Sequence, residues 1–157
     1  MKNHCEYVSN ITRRNLQYEV HEESSSFIRV QRILSYVVVH PNVSGIIYCF
    51  SRKSCEYVSE RLRRSCILAS PYHAGMSSLG RSRIQEGFLK NSIQIICEKT
   101  AFGVEIDKSN VEYVIHTHLP KDFESYYQET GRAARDGDCV DYISIIPLVI
   151  EQISLLC

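Results

Sequence analysis

Arg132 and Arg135 stand three residues apart in the string Tyr126-Tyr127-Gln128-Glu129-Thr130-Gly131-Arg132-Ala133-Ala134-Arg135-Asp136-Gly137. On a helix that spacing puts both guanidinium groups on one face. Gly131 before them and the alanines between them let another surface approach closely. A guanidinium stays charged and grips phosphate oxygens in pairs, so the two arginines suit a phosphate presented by a second domain. Two arginines late in a helix also suit a solvated basic turn, favoured there by the helix dipole. The pair of arginines alone leaves both readings open.

The chain around this string alternates strands and helices. Residues 1–14 are a mixed polar lead-in, and residues 15–157 form the domain. Asn15 to Val20 alternates apolar and polar, as a strand does. His21 to Ser26 is a polar break. Phe27, Val30, Ile33, Leu34 and Val37 recur at helical spacing, and Pro41-Asn42 stops that helix. Gly45 to Phe50 is a short apolar run suited to a strand buried on both faces. Ser51 is placed to cap a helix over 52–64. A strand over 67–72 follows, then a helix from Ser77 or Ser78 to Leu89. Strands are expected over 93–97, 111–116 and 140–146, and a helix over 122–135. Pro147 suits the first turn of a last helix ending near Leu156. This order predicts an α/β fold, a mostly parallel sheet sandwiched by helices. In such sheets ligand groups gather beyond the carboxyl ends of the strands.

Composition sets the outer limits. With 157 residues, 44% hydrophobic and 23% charged, the chain is ordinary for one globular domain. Lys plus Arg equals Asp plus Glu at 18 each, so contact with nucleic-acid phosphates must come from a local patch. The seven cysteines are odd in number and lack Cys-x-x-Cys spacing. They are expected to be reduced core residues of an intracellular protein, with no metal site. No apolar stretch is long enough to span a bilayer, and residues 1–10 lack a signal-peptide core. The location expected is intracellular, and nuclear in a eukaryote.

The full string from Gln128 to Gly137 resembles motif VI of superfamily-two helicases. Its Gln-Glu opening and Arg-Asp-Gly close are similar to the RecQ branch in particular. Gly45-Ile46-Ile47-Tyr48-Cys49-Phe50-Ser51-Arg52 resembles RecQ motif IV, and Tyr72-His73-Ala74-Gly75 the family's next landmark. Arg81, Gln85 and Phe88 keep the spacing of the helix after it. Ala101-Phe102-Gly103 with Ile106-Asp107-Lys108 resembles motif V. Val114-Ile115-His116, Leu119-Pro120-Lys121 and Glu124-Ser125-Tyr126-Tyr127 lead into motif VI as in RecQ proteins. The resemblance runs collinearly over about residues 12–150, as the second, C-terminal RecA-like domain of a RecQ-type helicase.

That resemblance implies an ATP-dependent DNA helicase that moves 3′ to 5′ on one strand, in DNA repair and recombination. Arg135 would be the arginine finger on the γ-phosphate, Arg132 a second contact or an organiser, and Gln128 the link from nucleotide to domain interface. Asp107, Gly103 and Gly131 would lie at the nucleotide and interdomain cleft. Ser51, Arg52, Tyr72, His73, Lys99 and Thr100 would line the DNA path, although Ser51 and Arg52 equally suit plain helix capping and Tyr72 and His73 equally suit a half-buried structural pair. ATP and Mg2+ would be held mainly by a first RecA-like domain, because the sequence contains no Gly-x-x-x-x-Gly-Lys-Ser/Thr loop and no Asp-Glu-x-His string. The partners implied are single-stranded or duplex DNA and that first domain, in cis or in trans, with no membrane. The chain alone is expected to be monomeric and to hydrolyse almost no ATP.

Motif V departs from the family pattern. Glu98 and Lys99 replace Ala-Thr, and Val104-Glu105 replace Met-Gly. His118 stands where an Asp is usual, and Ala134 where motif VI has Gly. Glu105 adds a carboxylate near phosphates, so weakened DNA coupling is expected. These departures also suit a second reading, a non-catalytic helicase remnant that binds a protein or, weakly, DNA. A third, an RNA helicase half-domain, fits the Gln-Glu-x-Gly-Arg string less well.

Overall fold

The computed structural model describes residues 16–99, 108–118 and 140–147, and the statements below concern those residues. The elements are β1 (Leu16–Glu23), α1 (Ser26–Val39), β2 (Ser44–Cys49), α2 (Arg52–Arg64), β3 (Ala69–Tyr72), α3 (Ser78–Leu89), β4 (Ile95–Lys99), β5 (Val111–His116) and β6 (Val140–Pro147). The strands form one sheet in the order β1-β6-β5-β2-β4-β3. Every pairing is parallel.

Crossover handedness distributes the helices. The paths β1 to β2 and β2 to β3 step across the sheet in one direction, so α1 and α2 share a face. The path β3 to β4 steps back, which sends α3 to the other face. The core divides accordingly. Val30, Ile33 and Val37 of α1 pack with Cys55, Val58 and Leu62 of α2 over Ile47, Cys49, Ile95, Cys97 and Ile115. Phe88 of α3 packs with Ile46, Tyr48, Tyr72, Ile96 and Val114 on the opposite side. Central β2 is buried at all six positions, as an unbroken apolar run in a doubly covered sheet requires. Tyr36 pins α1 down: its hydroxyl donates to Asp141 Oδ2 of β6 at 2.6 Å.

Each helix opens on a serine whose Oγ accepts an otherwise orphaned backbone N–H. Ser25 accepts from Phe27 N, Ser51 from Ser54 N, and Ser77 from Gly80 N.

The structure corrects several sequence boundaries. The polar break expected at His21 is strand as far as Glu23, because β1 pairs with β6 over eight residues and an edge strand needs no apolar pattern to do so. The strand expected from Ile67 begins at Ala69. Cys66 adopts φ 61° and Ile67 N donates back to Leu62 O, so those residues complete the end of α2. Ile93 N is likewise bonded to Gly87 O, and β4 starts two residues later than expected. Pro147, expected in a helix, is the last residue of β6, where a missing N–H is tolerated. Among the described cysteines, Cys49, Cys55 and Cys97 are buried and not in a disulfide, but Cys66 is exposed, since it sits in the tight turn after α2. The helix expected over 122–135 and residues Cys5, Cys139 and Cys157 lie outside the described residues.

Lys108, which the sequence groups with the motif V string, has a structural task. Its buried ammonium donates to Ser44 Oγ at 2.7 Å, Phe88 O at 2.5 Å and Asn91 Oδ1 at 2.7 Å. It also lies 4.2 Å from the centroid of the Phe88 ring. One side chain thus ties the start of β2 to the end of α3, at the amino edge of the sheet. Burial pushes its pKa below the ordinary lysine range.

Candidate nucleic-acid interface

In an all-parallel sheet each helix begins where its strand ends, so α2 and α3 open toward the same carboxyl edge. Both carry a serine cap and neither has an acidic residue in its first turn. The partial positive charge of each N-terminus therefore faces that edge uncancelled, a favourable setting for phosphate. The N-terminus of α1 differs, since Glu22 and Glu23 precede it.

Ser51 and Arg52 form the corner from β2 into α2. Ser51 Oγ accepts from Ser54 N at 3.1 Å and lies 2.8 Å from Ser54 Oγ. Arg52 is exposed, and its side chain lies across the backbone of Gly75 in the β3–α3 loop. A Cβ on Gly75 would stand 3.1 Å from Arg52 Nη1, 3.3 Å from Arg52 Cδ and 3.1 Å from His73 Nδ1. Glycine at 75 is what lets the guanidinium and this loop touch.

His73 organises the loop. Gly75 N–H donates to its Nδ1 at 3.2 Å, which leaves Nε2 to carry the ring hydrogen toward Glu56 Oε1 at 3.3 Å. Met76 N closes the turn on His73 O. The ring is only 5% exposed, so its part here is to fix the loop over which Arg52 lies. Tyr72, 1% exposed, is a core residue of the α3 face. Burial pushes its phenol pKa up, the Glu98 carboxylate adds to this, and Arg81 opposes it. A side chain so enclosed supports the path from beneath. Glu98 is itself buried, between Tyr48 and Tyr72 in the strand register.

Lys99, the last residue of β4, is exposed and stands level with Cys49 at the end of β2. Ser51, Arg52, His73 and Lys99 are therefore brought to one edge, with Tyr72 below them. Thr100, Gly103, Asp107, Gln128, Gly131, Arg132 and Arg135 lie outside the described residues. Sequence reasoning missed Glu56, whose only signal is one turn of helix beyond Arg52. It also missed that Phe50 and His118 meet, a contact that only the strand register reveals.

The helicase conserved C-terminal domain family matches residues 27–137 of this chain. The chain is 40% identical over 136 residues to the ATP-dependent DNA helicase RecQ of Haemophilus influenzae. It is 45% identical over 138 residues to the ATP-dependent DNA helicase hus2/rqh1 of Schizosaccharomyces pombe. It belongs to the RecQ family. Each of these RecQ matches takes in 87% of this chain, which spans 22% of the Haemophilus relative and 10% of the yeast one. The fold matches the C-terminal domain of the DEAD-box protein Dbp5, with a TM-score of 0.76 at 17% identity, over 85% of this chain and 77% of that one. It also matches Mss116p DEAD-box helicase domain 2 bound to an RNA duplex, with a TM-score of 0.73 at 20% identity, over 85% and 55%. This RecQ chain is thus a RecA-like C-terminal helicase domain in both sequence and architecture.

Proposed function

We propose that this chain acts as the C-terminal RecA-like half of an ATP-dependent 3′–5′ DNA helicase. It supplies Arg135 as the arginine finger, Arg132 and Gln128 as its companions, and part of the single-strand track. A first RecA-like domain, in cis or in trans, holds ATP and Mg2+, and Asp107, Gly103 and Gly131 face it across the cleft. The domain proper is residues 15–157, with 1–14 as a lead-in, and the setting is an intracellular, DNA-repairing one. The observation that carries the track is the convergence of Ser51, Arg52, Lys99 and two acid-free helix N-termini on one sheet edge. Backbone phosphates need such positive, weakly directional partners.

The test is binding of labelled single-stranded DNA, and of RNA of the same sequence, across a salt series. Removing one phosphate contact on a single strand changes the slope of log K against log salt by about 0.7. Arg52→Ala is expected to do this, and an unchanged slope and affinity would remove Arg52 from the track. Tighter binding of RNA would favour the RNA-helicase reading.

A second reading, a non-catalytic module, draws on Glu98. The RecQ pattern has Ala there, and here a carboxylate is buried beneath the end of the track. Under that reading the chain binds DNA weakly or a protein partner, and Arg135 no longer serves hydrolysis.

A further inference from the structure

Phe50 is 68% exposed although it sits between the buried end of β2 and the cap of α2. Single exposed apolar side chains are common, and what sets this ring apart is its surroundings at the carboxyl edge. The backbone beside it is fixed. Thr117 N and Thr117 Oγ1 both donate to Tyr48 O, at 3.0 Å and 3.1 Å, tying the end of β5 to β2. His116 pairs with Tyr48, so two residues further on His118 stands level with Phe50. The two rings meet edge to face, 5.7 Å apart at 75°. On the other side, exposed Lys99 stands level with Cys49, next to Phe50 in sequence. Arg52 opens the helix directly after.

We infer that Phe50, braced edge-on by His118, is a stacking platform for one unpaired base of single-stranded DNA. This rests on the proposed DNA-track reading and adds to it a contact to a base, where that reading has only contacts to phosphate. An edge-to-face brace keeps the rings from covering one another, which leaves a flat apolar surface for a base. Lys99 and Arg52, both on the side away from His118, are placed for a phosphate beside that base. Stacking of this kind tolerates any sequence, because every base has a π-face.

The chain contains no tryptophan, so Phe50→Trp installs a lone reporter at the site itself. The full chain and its Phe50→Trp, Phe50→Ala and Arg52→Ala variants would be titrated with oligo(dT) and with an oligonucleotide of abasic sites, at low and moderate salt. Tryptophan at 50 should be quenched by oligo(dT) and much less by the abasic strand. Phe50→Ala should weaken oligo(dT) binding roughly 5- to 150-fold, the range of a single base–aromatic stack, with the salt slope unchanged. The same substitution should scarcely alter binding of the abasic strand. Arg52→Ala should change the salt slope instead. If Arg52→Ala behaves so while Phe50→Ala is neutral and tryptophan at 50 is not quenched, the platform is wrong and the phosphate track stands. If neither strand binds even at low salt, both ideas fall. Quenching by a purified first RecA-like domain, but not by DNA, would make Phe50 an interdomain contact and overturn the inference.

Discussion

Adding one methyl group at Gly45 is a sharp test of the packing that holds β2 in place. A Cβ at that position would lie 2.1 Å from both Cε2 and Cζ of Tyr113, and 2.7 Å from Cδ2. Carbon atoms in contact prefer about 3.5–4.0 Å, so the ring would have to retreat by roughly 1.5 Å. It has little room. Tyr113 is 1% exposed and meets Tyr36 edge-on at 5.2 Å. Tyr36 in turn donates to Asp141 at 2.6 Å, so the displacement runs on into the anchor of α1. Overpacking costs about 1–3 kcal/mol, and strain on a hydrogen bond to a charged group adds about 1.5 kcal/mol or more. Alanine would otherwise be favoured over glycine in a strand by less than about 1 kcal/mol. The net expectation for Gly45→Ala is a loss of about 2–4 kcal/mol, a large part of a typical domain's 5–15 kcal/mol. Urea unfolding followed by far-ultraviolet circular dichroism would measure it. In the Tyr113→Val background the same substitution should cost far less, because the ring that collides is gone. A cost below about 1 kcal/mol in the parent chain, or an equal cost in both backgrounds, would refute the reasoning.

Other perturbations probe other parts of the structure. Lys108→Met leaves Ser44 Oγ, Phe88 O and Asn91 Oδ1 without their shared donor, and urea unfolding should report a loss of about 3 kcal/mol. High pH should unfold the domain. Burial holds the Tyr113 phenol and the Cys97 thiol above their ordinary values, and the Cys49 thiol is raised chiefly by its side-chain hydrogen bond with Cys55, with burial adding. Their contribution is complete below the unfolded values of 9.0 for the thiols and 10.0 for the phenol, and is lost as pH rises toward the folded ones. Each such group costs about 1.4 kcal/mol per pH unit once it ionises in the unfolded chain. Lys108 runs the other way, its penalty easing as pH approaches 10.5, but it is one group against five, since the Tyr36 and Tyr72 phenols are raised as well. A urea midpoint that stays flat from pH 8 to pH 11 would contradict this. Ser51→Ala should cost about 1 kcal/mol through the lost cap and should weaken DNA binding at the same corner, measured by anisotropy. If Glu105 lies near the phosphates, as the motif V resemblance implies, Glu105→Gly should tighten single-strand binding, and an unchanged dissociation constant would sink that idea.

The sheet was legible in the chain because its central strands are unbroken apolar runs. Ile46-Ile47-Tyr48-Cys49 and Val114-Ile115 suit strands covered on both faces, and both are strands. The helix over 52–64 was readable to the residue, since Ser51 caps it and Val58 and Leu62 mark its inner face. What escaped was set by pairing and by local hydrogen bonding. His21-Glu22-Glu23 are polar and still extended, because β6 supplies the ladder. Ile67 and Leu68 are apolar yet precede their strand: Ile67 N closes the turn after α2 on Leu62 O, while Leu68 O accepts from Gln94 N and Ile95 N at the entry to β4. Among the proposed site residues, Ser51 and Arg52 could be placed at a strand end from the sequence. That Tyr72 is enclosed, that His73 serves the loop through Glu56 and Gly75, and that Phe50 meets His118 all depend on which strand lies beside which. Linear spacing does not carry that order.

The central claim is that this domain completes an ATPase, and Arg135 is where it is most exposed to test. The direct measurement replaces the corresponding domain of the Haemophilus influenzae RecQ relative with residues 12–150 of this chain. DNA-stimulated ATP hydrolysis is then compared with and without Arg135→Ala. An arginine finger contributes about a thousandfold or more to turnover. The account predicts hydrolysis by the chimera and a fall of that order in the variant, with nucleotide still bound. Hydrolysis that does not change on removing Arg135, or a folded chimera that binds ATP and never hydrolyses it, would contradict the account and favour the non-catalytic module.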